Sequence, residues 1–181
     1  MEPANTLFLQ IDIQDGFSPV IKDFDVICKK ATRLSQISKI LKIQLLVTEQ
    51  YPKGLKATSS KIDTSHGLVV PKTSFNALDE KKVSDFIAAL KPKNVVIYGL
   101  ETHICVYQTV VSLSKFTNVI VLADVCSSRE SNDSIIILED LKRNDKIQVL
   151  TYETVVFMLL KSKENPRFKE VQEIIKEKII N

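Results

Sequence analysis

The sequence predicts a single-domain α/β protein: a doubly wound, Rossmann-like, mostly parallel sheet of six strands with helices on both faces. Three observations carry this. Apolar runs of strand length recur at 6–11, 43–47, 67–70, 94–98, 119–122 and 147–150. Most are β-branched and nearly continuous, as in strands covered on both faces. Segments with helical spacing lie between them, and strand alternating with helix implies parallel pairing.

In chain order, the first run leads to a stripe of Val26, Ile27, Ala31, Leu34, Ile37, Ile40 and Leu41 at helical spacing. After the third run, Asp79 is placed as the N-cap of a helix whose apolar side is Val83, Phe86, Ile87 and Leu90. A further helix covers 106–113, another 132–141, and a tail helix 168–180. The tail carries Phe168, Val171, Ile174, Ile175 and Ile179, a stripe that suits docking on its own sheet or across a subunit boundary. No repeat or linker interrupts the pattern, so residues 1–181 are expected to form one domain.

The chain has 181 residues, 44% hydrophobic and 26% charged, which is enough for one sizeable core. A formal charge of +3, no Trp and no basic segment interleaved with aromatics give direct nucleic-acid binding no support. The longest apolar runs fall far short of the roughly 20 residues that span a bilayer, so no membrane association is expected. Glu2 and Pro3 stand before the first apolar run, which argues against a signal peptide. Cys28, Cys105 and Cys126 are too few for a disulfide framework. An intracellular location, cytoplasmic or mitochondrial, is expected.

Open parallel sheets bind ligands outside the carboxyl ends of their strands. Those ends fall at Asp12, at Thr48, Glu49 and Gln50, at Lys72, at Gly99, at Asp124 and at Thr151. A carboxylate, an ammonium and, a few residues past Gly99, the thiol of Cys105 thus converge on one rim. Cys105 belongs to the expected first turn of a helix, where unpaired N–H groups and the helix dipole favour a thiolate.

His103 is the tempting partner for that thiol. Residues i and i+2 on a helix point about 200° apart, however, so the imidazole faces away. His103 is left as a rim or supporting residue, or simply a surface one. His66 precedes the third strand and falls at the opposite end of the sheet. Asp12 suits two roles, capping the following turn or accepting the thiol proton. Lys72 is either a solvated lysine or a cation that stabilises the thiolate. Ser127, Ser128 and Arg129 suit contact with an anionic substrate as well as they suit loop and capping roles.

With those residues in view, the chain resembles the isochorismatase-like superfamily of cysteine hydrolases, along nearly its whole length. The stretch LQIDIQDGF at 9–17 is similar to the family's first-strand aspartate motif, PKTSF at 71–75 to its lysine motif, and YGLETHICVYQT at 98–109 to its cysteine motif. The resemblance implies a triad of Asp12, Lys72 and Cys105. It also implies a cis peptide between Leu100 and Glu101, with the N–H groups of Glu101 and Cys105 facing the oxyanion. Phe17, Gln50, Tyr51 and His103 become candidate pocket residues. Nicotinamidases of this superfamily bind a metal through histidines near the second strand end. Here that region reads TEQYPKGLKAT at 48–58, without histidine, so no metal and no cofactor are expected.

The TEQYP segment and Glu101 resemble instead the isochorismatase-domain-containing subgroup, some members of which are labelled mitochondrion-associated ribonuclease. The expected function is hydrolysis of a small molecule at an amide or related carbonyl carbon. A ribonuclease or RNA-associated protein, and a low-turnover binding or scaffold protein, are the alternatives. A homo-oligomer, dimer or higher, is implied by the resemblance. Asp12→Asn is expected to impair turnover with little change in folding.

Overall fold

The computed structural model describes residues 1–177. Its sheet has six strands in the order β3-β2-β1-β4-β5-β6. The strands are β1 (Thr6–Ile11), β2 (Gln44–Gln50), β3 (Leu68–Lys72), β4 (Asn94–Leu100), β5 (Asn118–Ser127) and β6 (Ile147–Leu150). Every pairing between neighbours is parallel. The helices are α1 (Phe24–Leu41), α2 (Pro52–Leu55), α3 (Lys81–Leu90), α4 (Tyr107–Leu113), α5 (Ser131–Leu141), α6 (Tyr152–Leu160) and α7 (Phe168–Lys176). None of the described helices is long and apolar enough to cross a membrane.

From β1 the chain builds outward through β2 to β3, and from β4 outward through β5 to β6. The two directions diverge between β1 and β4, so a crevice opens at the carboxyl ends of these two strands. All six β1 residues are buried, which accounts for a continuous apolar run in place of an alternating one. Val95, Val96 and Ile97 of β4 and Val119, Val121 and Leu122 of β5 fill the same core.

Several elements differ from the expectation. β5 runs to Ser127, so Asp124 and Cys126 lie within a strand and not beyond it. Helix α3 is capped by Glu80, whose side chain accepts the N–H of Lys82, while Asp79 closes the preceding 3-10 turn. Helix α6 had no visible signal because its sequence is apolar on nearly every side. Val155, Val156, Leu159 and Leu160 are buried while Phe157 and Met158 stay partly exposed. Cys28 lies inside α1, fully buried.

The described part of the tail helix, α7, docks on its own chain. Val171 is buried, Phe168, Ile174 and Ile175 pack on the core, and α7 lies against α1. Ile179 and the expected last turn to 180 lie outside the described residues.

Candidate active site

Gly99 marks where β4 turns from sheet into site. Its φ is +132°, and a Cβ there would stand 1.9 Å from the carbonyl oxygen of Ile11, so only glycine lets the two strand ends come this close. The β4–β5 register shifts between Ile97 and Gly99. Next comes a cis peptide bond between Leu100 and Glu101. A five-residue π-helical turn, Thr102–Val106, then carries Cys105 into α4. The Glu101 carbonyl accepts the N–H groups of Ile104 and Val106, at 3.1 and 3.3 Å. Cys105 therefore belongs to a π turn and not to the first turn of an α-helix.

Asp12 is the residue immediately past β1, with φ +50°. Its backbone N–H still bonds the Thr48 carbonyl at 3.1 Å. Its Oδ1 accepts the Thr48 hydroxyl at 2.7 Å, and its Oδ2 accepts Lys72 Nζ at 2.7 Å. Neither the Asp12 nor the Lys72 side chain has any solvent exposure. The lysine also donates to Gln50 Oε1 at 2.6 Å and to the Ser74 carbonyl at 3.1 Å. An ammonium has three donors, and here all three are used. The alternative of a solvated lysine is thereby set aside.

The carboxylate and the ammonium both act on the Cys105 thiol at close range. Burial pushes the thiol up to about 12, the negative charge of Asp12 adds to the rise, and Lys72 opposes it without winning. This overturns the expectation of a resting thiolate. The dipole and lysine effects are outweighed by desolvation, because Cys105 is only 6% exposed. At neutral pH the site holds a thiol beside a carboxylate, an arrangement that needs a base at the moment of attack.

Other residues hold these three in place and escaped the sequence reading. Thr109 Oγ1 donates to the Cys105 carbonyl at 2.7 Å and accepts the Ala77 N–H at 3.0 Å, tying α4 to the segment after Lys72. Gln14 is buried and clamps the β1 loop to the β2 loop. It donates to the carbonyls of Gln50 and Lys56 and accepts the Gln50 N–H. Gly16 is needed because a Cβ would meet the Leu55 carbonyl oxygen at 2.6 Å. The bonds of Thr48 to Asp12 and of Thr109 to Ala77 join segments more than thirty residues apart, so these supporting roles emerge only in three dimensions.

The pocket candidates divide. Gln50 is committed to Lys72 and, through Nε2, to the Thr73 carbonyl at 2.8 Å. Tyr51 sits at the same strand end with its ring exposed, and Phe17 closes the 3-10 turn after Asp12. His103 leans away from the thiol: Nδ1 is 2.9 Å from Ser128 Oγ, and Nε2 is 3.6 Å from Asp133 Oδ2. Ser134 links Ser128 to Thr102 by hydrogen bonds of 2.9 and 3.0 Å, so a polar chain supports the π turn from behind. His66 bonds Ser38, at the other end of the sheet.

Asp124 is taken by Lys30 at 3.0 Å and by the Tyr152 N–H at 2.8 Å. It lines a cavity of 660 Å³ beside the end of β5, together with Lys30 and Cys126. Glu101 is nearly buried, and its Oε1 accepts both the backbone N–H of Arg129 at 3.1 Å and its Nε at 3.0 Å. No group of three or more His, Cys, Asp or Glu able to hold a metal ion occurs among the described residues.

The site so built, a buried carboxylate, ammonium and thiol, lies at the carboxyl crevice of a parallel α/β sheet. The chain belongs to the isochorismatase family, whose domain model matches residues 6–151. It is 39% identical over 178 residues to isochorismatase domain-containing protein 1 of Danio rerio, covering 97% of this chain and 62% of that protein. The chain thus spans less than two thirds of that relative's length. A solved structure of MAR1 ribonuclease from Caenorhabditis elegans superposes with a TM-score of 0.92 at 31% identity, covering 100% of this chain and 94% of that one. The Escherichia coli YcaC gene product, described as an octameric hydrolase of unknown specificity, shares the fold. Its TM-score is 0.84 at 15% identity, over 97% of this chain and 94% of that one.

Proposed function

We propose that the protein is a cysteine hydrolase acting on a small molecule at an amide or related carbonyl carbon. The observation that carries the reading is the fully buried Asp12–Lys72 pair set against the Cys105 thiol. The Cys105 sulfur attacks the carbonyl carbon while its proton passes to the Asp12 carboxylate. The N–H groups of Glu101 and Cys105 hold the oxyanion, and Lys72 holds the Asp12 carboxyl group aligned. As the tetrahedral intermediate collapses, Asp12 returns the proton to the leaving amine, and a thioester remains. Water then attacks the thioester and gives a proton to Asp12, which passes it to the departing sulfur. The products are a carboxylic acid and the free enzyme.

Turnover of a library of small amides and carboxylate esters, with Cys105→Ala as the blank, tests this reading. Hydrolysis that survives in Cys105→Ala would contradict it. A second reading, ribonuclease, has the name of the Caenorhabditis elegans relative behind it. It predicts RNA cleavage that Cys105→Ala and Lys72→Ala abolish. A low-turnover binding protein would bind one of the screened molecules without consuming it. An oligomer fits the octameric relative and the exposed Phe116, Ile135 and Ile136. Light scattering that shows a monomer at micromolar concentration would remove that part of the reading. Three free, buried cysteines fit an intracellular, reducing compartment, cytoplasmic or mitochondrial, and localisation of a tagged chain tests it.

A further inference from the structure

We infer that His103 is a positioning residue that latches the cysteine turn to α5, its Nδ1 lone pair being the end point of a relay of three buried hydroxyls. This rests on the reading of Cys105 as the reacting group and adds how that group is held in place. His103 and Cys105 belong to the same five-residue π turn, Thr102–Val106. Turns of this kind occur mostly singly and often at functional sites. Here side chains of the loop after β5 and of α5 brace it.

The relay is closed at both ends on the turn. His103 Nδ1 lies 2.9 Å from Ser128 Oγ, and Ser134 Oγ lies 2.9 Å from Ser128 Oγ and 3.0 Å from Thr102 Oγ1. Thr102, Ser128 and Ser134 are all buried. Each hydroxyl has one proton to donate. When the protons run from Thr102 to Ser134, to Ser128 and to His103, all three are used, and Nδ1 must present a lone pair to receive the last. A proton on Nδ1 would reverse the relay and leave the Thr102 proton, inside the protein, with no acceptor in the relay, which is unfavourable.

Asp133 sets the required tautomer. Its Oδ2 stands 3.6 Å from His103 Nε2, so the carboxylate favours a proton on Nε2 and leaves Nδ1 as the acceptor. Asp133 and Ser134 are neighbours in the first turn of α5, so one helix end supplies both the carboxylate and a hydroxyl of the relay. On its other side the turn is tied by Thr109, which donates to the Cys105 carbonyl. The latch restrains the turn ahead of the sulfur and Thr109 restrains it behind. With the latch released, the turn can sway, the sulfur gains exposure, and the desolvation that keeps the thiol protonated is relieved. The same loosening spoils the alignment of the sulfur with Asp12.

The test compares wild type with His103→Ala, His103→Asn and His103→Gln. Asn places an amide oxygen near the Nδ1 position and keeps the bond to Ser128. Gln reaches the Nε2 position and keeps only the contact with Asp133. Iodoacetamide alkylation is followed by peptide mapping at Cys105 and at Cys28, the fully buried thiol of α1. In each, the sulfur displaces iodide from the CH₂ carbon and its proton passes to a neighbouring base or to solvent. Global loosening speeds both cysteines together, whereas release of the latch speeds Cys105 alone. The Cys105-to-Cys28 rate ratio is expected to rise about two- to ten-fold in His103→Ala and His103→Gln and to stay within about two-fold of wild type in His103→Asn, as for one lost and one kept hydrogen bond. An unchanged ratio in Ala and Gln, or an equal rise in all three variants, overturns the latch. No substrate enters this measurement. The expected pattern beside a screen in which no amide or ester is consumed supports the latch and counts against the hydrolase reading, and an unchanged ratio beside a consumed substrate does the reverse.

Discussion

Lys72 Nζ lies 2.7 Å from Asp12 Oδ2, and both side chains are sealed from solvent. A pair of this kind is costly to break from one side, because the partner is left as an uncompensated buried charge. Lys72→Met and Asp12→Asn are each expected to lose about 3–5 kcal/mol of stability. Asn at position 12 lies at the lower end, since Gln50 and Ser74 still accept from the lysine. The double variant is expected to lose less than the sum of the two. Chemical denaturation of all four proteins checks this, and strict additivity would show that the charges do not interact. This burial points to a larger cost than the little change in folding expected from the sequence.

Stability at high pH follows from the thiols. Burial raises Cys105 and Cys126 to about 12, above an ordinary value of 9. The native state then holds both protons more tightly than the unfolded chain. Their contribution is fully present below about pH 9 and is lost as pH rises towards about 12. It amounts to a few kcal/mol in order of magnitude. Denaturation midpoints should fall between pH 8.5 and pH 11 by these approximate limits, and Cys126→Ala should fall less steeply. Equal slopes in the two proteins would contradict the assignment to Cys126.

The titration of Cys105 itself reports on its neighbours. In wild type, iodoacetamide labelling of Cys105 is expected to climb with pH through the mildly alkaline range without a plateau, and to exceed labelling of the fully buried Cys28. Asp12→Asn removes a negative charge and an acceptor that raise the thiol, and leaves Lys72, which lowers it. Cys105 in that variant should titrate lower and label faster at neutral pH. An identical pH profile would mean that the carboxylate does not reach the sulfur.

Much of this arrangement was legible in the sequence. Continuous β-branched runs such as 6–11 and 94–98 revealed strands buried on both faces, and the rule that parallel sheets bind at their carboxyl ends brought Asp12, Lys72 and Cys105 together. Helix α6 was illegible because uniform apolarity has no period, and the π turn because its identity depends on backbone bonds to Glu101. The supporting hydroxyls of Thr48 and Thr109 were hidden for a different reason: each bridges segments far apart in the chain. The protonation of Cys105 was misread from local features, since helix-end effects are visible in sequence while desolvation by distant residues is not.

The central claim is that Asp12 takes the Cys105 proton during attack. Its most direct test is the turnover of folded Asp12→Asn on a substrate found in the amide and ester screen, at a temperature well below the melting point of the variant. The account predicts a loss of about 10²–10⁴ in kcat/KM, even though the Cys105 thiol of the variant alkylates faster at neutral pH. Wild-type turnover in that variant would contradict it.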